Sequence, residues 1–140
     1  MEFKSEMRLI KWMMGLGALG GGSAVALGAY GAHGLEGMPA PLQLAYQSAV
    51  QYQFYHSLAL LLVALFLRFG FSRWLRVAGL AFVAGLLLFS GSIYLRLLLG
   101  VELPRLLTPA GGVAFMVGWA AVALAAWCQS ATKETECRSS

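Results

Sequence analysis

Charged residues are scarce in this chain. Only 11% of its 140 residues are Asp, Glu, Lys or Arg, whereas 59% are hydrophobic, and the mean hydropathy is +0.72. A soluble globular domain carries about 25% charged residues, so this chain has too few to cover a water-facing surface. The length allows one domain. The composition therefore predicts an integral membrane protein.

Cysteine pairs and clustered positive charge are also lacking. Cys128 and Cys137 have neither the spacing of metal ligands nor an evident partner, so neither a zinc site nor a disulfide framework is predicted. The ten Lys and Arg residues give a net charge of +4, but they lie at the ends of apolar runs rather than in a patch with aromatic residues. Such placement is typical of membrane topology signals, so nucleic acid is not an expected partner.

Four long apolar segments are present instead. A helix needs about 20 apolar residues to cross a hydrocarbon core of about 30 Å, and strands with open edges cannot face lipid. The segments that meet this length are residues 12–33, 44–67, 77–96 and 106–128. The sequence predicts an all-α integral membrane protein, a four-transmembrane-helix bundle at 12–128. A basic leader (1–11) precedes the bundle, and a polar tail (129–140) follows it.

The basic residues also predict the direction of the segments. Eight of the ten Lys and Arg residues lie before the first segment, around the second connector or after the fourth segment, and only Arg96 and Arg105 lie on the other side. By the positive-inside rule both termini are expected in the cytoplasm. A cleaved signal peptide is the alternative for the first segment, but its uncharged stretch exceeds the usual h-region of about 7–15 residues.

Small residues predict close helix packing. They recur every three or four positions in the first segment, and a Gly-Gly pair opens the fourth. Rows of this kind let helix backbones approach closely in lipid. The residues assigned to helix packing are Gly20, Ala24, Gly28, Gly31, Ala32, Gly34, Gly111 and Gly112.

Polar residues gather in the outer halves of the segments, whereas the inner halves are almost entirely apolar. Polar groups in hydrocarbon are costly unless they are hydrogen bonded, so these side chains are expected to face the bundle interior. The candidate polar cluster or ligand site comprises His33, Gln47, Gln51, Tyr52, Tyr55, His56, Ser90 and Ser92.

His56 is the residue of greatest interest in this cluster. It lies 12 residues from Arg68, which is about 18 Å into the membrane at the rise of an α-helix. An ionisable residue at that depth is a candidate functional residue; the alternative is a neutral imidazole hydrogen bonded to Ser90 or Ser92. His33 lies about 15 Å farther out, so the two histidines cannot share a haem or metal ion. We therefore predict no metal and no cofactor.

Several short motifs resemble a known family. They are GAYGAHGL at 28–35, AVQYQFYH at 49–56, FSGSIY at 89–94 and TPAGG at 108–112. Together they resemble the bacterial family called domain of unknown function 423, which is itself similar to the eukaryotic transmembrane protein 256. The resemblance covers about residues 14–127. It implies a small four-helix membrane protein, expected in the bacterial cytoplasmic (inner) membrane, and it implies no particular activity.

Two functional hypotheses remain open from the sequence. The first is a non-enzymatic structural or accessory membrane component, which contacts a larger membrane complex or a second copy of itself through its small-residue faces. The second is a protein that binds or transports a small molecule (a lipid, quinone or other substrate) in the polar cluster around His56. The segments contain no Asp or Glu, which argues against a Ser-His-acid triad and against a proton pump built on carboxylates.

Overall fold

The computed structural model describes residues 2–70 and 72–138, and within these residues the chain forms four long helices and no strand. Side chains are described for 4–70 and 72–128. The four helices span Glu2–Gly34, Ala40–Phe69, Arg73–Leu99 and Leu107–Arg138. Each of them contains a stretch long and apolar enough to cross a membrane. The predicted all-α bundle of four transmembrane helices is therefore confirmed.

The helices are longer than the apolar segments from which they were predicted. The first helix begins at Glu2, so it includes most of the basic leader, and the fourth helix continues through most of the polar tail to Arg138. Once a helix has formed, each added residue gains a backbone hydrogen bond without a new nucleation cost, so the helix can continue into the polar region outside the hydrocarbon. Residues 139 and 140 of the tail and the side chain of Cys137 lie outside the described part of the structure.

The first two helices form a hairpin closed by a short turn. Gly37 has a φ of +86°, a left-handed conformation that glycine adopts without steric cost. Gln43, near the start of the second helix, donates from Nε2 to the carbonyl oxygens of Leu35 (3.2 Å) and Met38 (2.8 Å). The Leu35 carbonyl oxygen also accepts from the Met38 N–H at 3.1 Å, so these bonds fix the start of the second helix to the turn.

The apolar core lies mainly in the inner half of the bundle. The first helix packs chiefly against the second, and the third chiefly against the fourth, with the second also touching the third. All four helices contribute side chains to this core, which includes Ile10, Met13, Leu60, Val63, Leu67, Leu75, Phe82, Phe115, Ala121 and Ala125.

The third helix is interrupted by one wider turn. Residues Leu86–Gly91 are π-helical, between α-helical segments at Arg73–Gly85 and Ser92–Leu99. The fourth helix comes very close to this turn, because a Cβ atom on Gly111 would lie only 2.8 Å from backbone carbon atoms of the third helix. Single π-helical turns are frequent at functional sites, and this turn carries Ser90.

Candidate functional site

His56 is buried in the bundle with both ring nitrogens hydrogen bonded. Its Nδ1 lies 2.8 Å from the carbonyl oxygen of Tyr52, and Trp119 Nε1–H donates to its Nε2 at 3.2 Å. Since the indole nitrogen can only donate and the carbonyl oxygen can only accept, Nδ1 carries the hydrogen and the imidazole is neutral. The side chain is only 5% exposed. His56 therefore ties the second helix to the fourth.

Aromatic rings cover the faces of this imidazole. The Phe115 ring stacks on it with a centroid distance of 3.6 Å and an angle of 12°, and Phe82 lies at 5.6 Å. Tyr52 stacks at 5.7 Å, one helical turn away along the second helix. With its nitrogens paired and its faces covered, His56 has no group left to offer a ligand.

Ser90 and Ser92 do not bond His56, contrary to the sequence-based alternative. Ser90 Oγ donates to the carbonyl oxygen of Ala49 at 2.8 Å, and Ser92 Oγ lies 2.8 Å from the Thr108 hydroxyl and 3.0 Å from the carbonyl oxygen of Phe89. Ser90 lies in the π-helical turn. This turn places its hydroxyl against the backbone of the second helix at Ala49 rather than beside the His56 ring. The two serines thus tie the third helix to the second and to the fourth.

Two buried polar residues that the sequence analysis missed join the first helix to the second. Gln53 Nε2 donates to the carbonyl oxygen of Gly20 and to the Ser23 hydroxyl, both at 2.8 Å. The Tyr46 hydroxyl donates to the carbonyl oxygen of Leu27 at 2.8 Å. The signal that could have found them is the spacing of 46, 49, 53, 56 and 60, which alternates steps of three and four, as expected for one buried helix face.

Four members of the predicted polar cluster point out of the bundle instead. His33, Gln47, Gln51 and Tyr55 are exposed, and Tyr55 is 57% exposed. Within the described part of the chain, the side chains of Gln47 and Gln51 form no hydrogen bond. Tyr52 is intermediate between the two groups, since it is 42% exposed while its ring stacks on Phe89 at 4.8 Å. The structure therefore divides the predicted cluster into a buried part around His56 and an outward part.

Some of the small residues of the first helix that were assigned to helix packing do lie against the second helix. A Cβ atom on Gly20 would clash with the Ser57 hydroxyl, and one on Gly31 would lie 2.6 Å from the Tyr46 ring. Ala24 is 1% exposed, and Gly28 would place a Cβ atom 3.4 Å from the side chain of Val50.

The remaining predicted packing residues have different surroundings. Ala32 is exposed, Gly34 faces Tyr30 of its own helix, and a Cβ atom on Gly112 would meet nothing within 4 Å. Gly111 alone of the Gly-Gly pair lies against the third helix.

In the part of the chain that the structure describes, no three His, Cys, Asp or Glu side chains come together to hold a metal ion. The hydrogen bonds and ring stacks found here instead join helix to helix. The fold and its interior define a small four-helix integral membrane protein.

The chain belongs to the family described as "Protein of unknown function (DUF423)", which it matches over residues 27–112. It is 42% identical over 114 residues to the UPF0382 membrane protein YwdK of Bacillus subtilis, covering 79% of this chain and 92% of that protein. It is 36% identical over 111 residues to the UPF0382 inner membrane protein YgdD of Escherichia coli, covering 79% of this chain and 85% of that protein. No solved structure matches. The predicted family and the predicted location in the inner membrane are confirmed.

Proposed function

We propose that this protein is a non-enzymatic membrane component that works as a two-fold dimer of four-helix bundles, with both termini in the cytoplasm. The dimer contact is the outward polar face, which we define as Gln47, Gln51 and Tyr55 of the second helix with Gly28 and Ala32 of the first. The observation that carries the proposal is that two glutamine side chains on this face are exposed, without a hydrogen-bond partner in the described part of the chain. The non-enzymatic role is supported by the closed surroundings of His56.

The depth of Gln51 makes its exposure costly. It lies 17 residues from Arg68, which is about 26 Å from the inner interface and within a hydrocarbon core of about 30 Å. A polar group that finds no hydrogen bond in hydrocarbon costs several kcal/mol, because no water is there to replace the missing partner. A protein surface that pairs with Gln51 removes this cost.

The surroundings of Gln51 suit a second helix of the same kind. A shallow groove of about 250 Å³ between the first two helices is lined by Gly28, Gly31 and Ala32 on one side and by Gln47 and Gln51 on the other. Small residues let a neighbouring backbone approach, and interhelical side-chain hydrogen bonds then stabilise the pair. An amide both donates and accepts, so the face is complementary to itself, as a two-fold interface requires.

The proposed orientation is based on the distribution of Lys and Arg residues between the two sides of the membrane. Eight of the ten Lys and Arg residues lie on the side of both termini, and an excess of this size is characteristic of cytoplasmic loops and ends. The outward polar face then lies in the outer half of the membrane.

Cysteine cross-linking tests the dimer. In a chain whose native Cys128 and Cys137 are replaced by Ser, we expect Tyr55→Cys, which lies on the outward polar face and keeps both glutamines, to give a cross-linked dimer with a short bifunctional maleimide in native membranes. Val113→Cys is the matched control, because it is 53% exposed on the fourth helix at a similar depth of about 22 Å from Cys128. It is expected to give no cross-linked dimer and to run as a monomer on a denaturing gel.

The number of subunits per particle in lipid gives a second measurement. Single-molecule photobleaching in liposomes should show two subunits, and Gln51→Leu should weaken the association roughly three- to twentyfold, given measured hydrogen bonds of about 0.6–1.7 kcal/mol between membrane helices. A monomer in lipid, or equal cross-linking at both positions, would overturn the proposal. So would association of this face only with a different protein, because the chain alone would then remain monomeric.

A further inference from the structure

A cavity of about 390 Å³ lies between the first and third helices, and Gln53 of the second helix also lines it. It is separate from the outward polar face and does not include His56. Leu16, Leu19, Val83, Leu86 and Leu87 contribute aliphatic side chains to its wall. Its volume lies within the range of about 300–1,000 Å³ that is usual for small-molecule sites.

The cavity opens to the middle of the bilayer. Leu19 and Leu87 are 73% and 69% exposed, so lipid chains reach its edge. Ser23 and Gln53 form part of the polar wall, at depths of about 18 Å from Lys11 and about 22 Å from Arg68. No charged residue lines the cavity, so a phospholipid head group would find no counter-ion there.

The hydrogen-bond donors on the polar wall are already in use. Gln53 Nε2 donates to the Gly20 carbonyl oxygen and to Ser23, Ser23 Oγ donates to the Gly20 carbonyl oxygen, and Ser90 Oγ donates to Ala49. The Tyr94 hydroxyl has no partner in the described part of the chain, but its oxygen is enclosed and has almost no accessible surface. A ligand that can only accept hydrogen bonds, such as a ketone, therefore finds no available donor.

An acceptor, in contrast, is available. Gln53 Oε1 accepts no hydrogen bond from the described residues. The fully enclosed side-chain atoms without a partner in these residues are the hydroxyl oxygens of Ser57 and Tyr94. Because Gln53 Oε1 is not among them, part of its surface is accessible. An amide oxygen has two lone pairs, and leaving it unpaired at this depth is unfavourable. The group that satisfies it must donate a hydrogen and must carry no charge.

We propose that this cavity binds an uncharged lipid alcohol. Its hydroxyl donates to Gln53 Oε1, and its hydrocarbon chain lies along Leu16, Leu19 and Leu87 and continues into the bilayer. The hydroxyl can come from a diacylglycerol or from an isoprenoid alcohol, since both present one neutral donor on an apolar chain.

Binding to the full-length protein in detergent micelles tests this proposal by native mass spectrometry. The probes are 1,2-dioleoylglycerol and a long-chain isoprenoid alcohol, each compared with its O-methyl ether, which keeps the chain and lacks the donor. We expect at least one alcohol to bind about five- to tenfold more tightly than its ether, which corresponds to one neutral hydrogen bond. The alcohol that shows this difference identifies the source of the hydroxyl.

Three variants separate binding from folding. Leu87→Trp fills the cavity without touching its hydrogen bonds and should abolish the binding, whereas Leu80→Trp should not. Leu80 is the matched control because it is 59% exposed on the same helix and does not line the cavity. Gln53→Met should remove the preference for the alcohol over the ether. Equal binding of alcohol and ether, no binding of either alcohol, or unchanged binding by Leu87→Trp would each overturn the proposal.

Discussion

Replacing His56 with leucine should destabilise the bundle strongly, whereas the same change at His33 should not. Both substitutions exchange an imidazole for an apolar side chain within a transmembrane helix. His56 is 5% exposed and bonded through both nitrogens, while His33 is exposed at the outer end of the first helix. The comparison therefore isolates the effect of the buried contacts.

The magnitude follows from the groups that lose a partner. Leucine leaves the Trp119 N–H without its acceptor, which costs about 1–3 kcal/mol for a group that water does not reach. It also removes the stack on Phe115, and aromatic pairs contribute about 0.5–1.5 kcal/mol beyond the area they bury. We expect His56→Leu to lower the free energy of unfolding by about 2–4 kcal/mol, and His33→Leu to change it by about 0.5 kcal/mol or less.

The assay is reversible unfolding in mixed micelles with increasing dodecyl sulfate, followed by far-ultraviolet circular dichroism. A double-mutant cycle with Trp119→Phe measures the hydrogen bond itself, with an expected coupling of about 0.6–1.7 kcal/mol. Equal effects at His56 and His33, or no coupling between His56 and Trp119, would refute the assignment of His56 to helix bracing.

Two further pairs of variants test the packing of the helices by the same unfolding assay. Gly111→Ala should lower the free energy of unfolding by about 1–3 kcal/mol, because the new methyl group would meet the backbone of the third helix. Gly112→Ala, which meets nothing within 4 Å, should leave it unchanged or slightly higher, and equal losses at both positions would contradict the close contact. Ser57→Ala should be neutral or stabilising because it removes a buried hydroxyl without a partner in the described residues. Ser90→Ala should cost about 1 kcal/mol with the loss of its bond to Ala49, and a larger loss at Ser57 than at Ser90 would contradict this bond pattern.

The spans could be predicted because length and apolar content alone determine whether a helix can cross a bilayer. The direction of the polar side chains was harder to predict. The polar groups in the spans were expected to face inward, and this is wrong for Gln47, Gln51 and Tyr55, which lie on the outward side of the second helix. The inward face carries Tyr46 and Gln53 instead, because it follows the three-four spacing of the buried residues.

The partner of His56 and the π-helical turn could not be predicted from local sequence. Trp119 lies 63 residues from His56 along the chain, and its bond depends on how the second and fourth helices rotate against each other. The π-helical turn at Leu86–Gly91 contains no proline, and Gly111 of another helix packs directly against it. Both features arise from tertiary contacts, which hydropathy does not encode.

Labelling of single cysteines from outside the cell tests the proposed orientation most directly. Three chains, each with one cysteine, are compared in intact and permeabilised cells with a membrane-impermeant maleimide. They carry Lys4→Cys, Glu102→Cys or the native Cys137. We predict that Glu102→Cys reacts in intact cells, while Lys4→Cys and Cys137 react only after permeabilisation. Labelling of either terminus in intact cells would contradict four crossings with both ends in the cytoplasm.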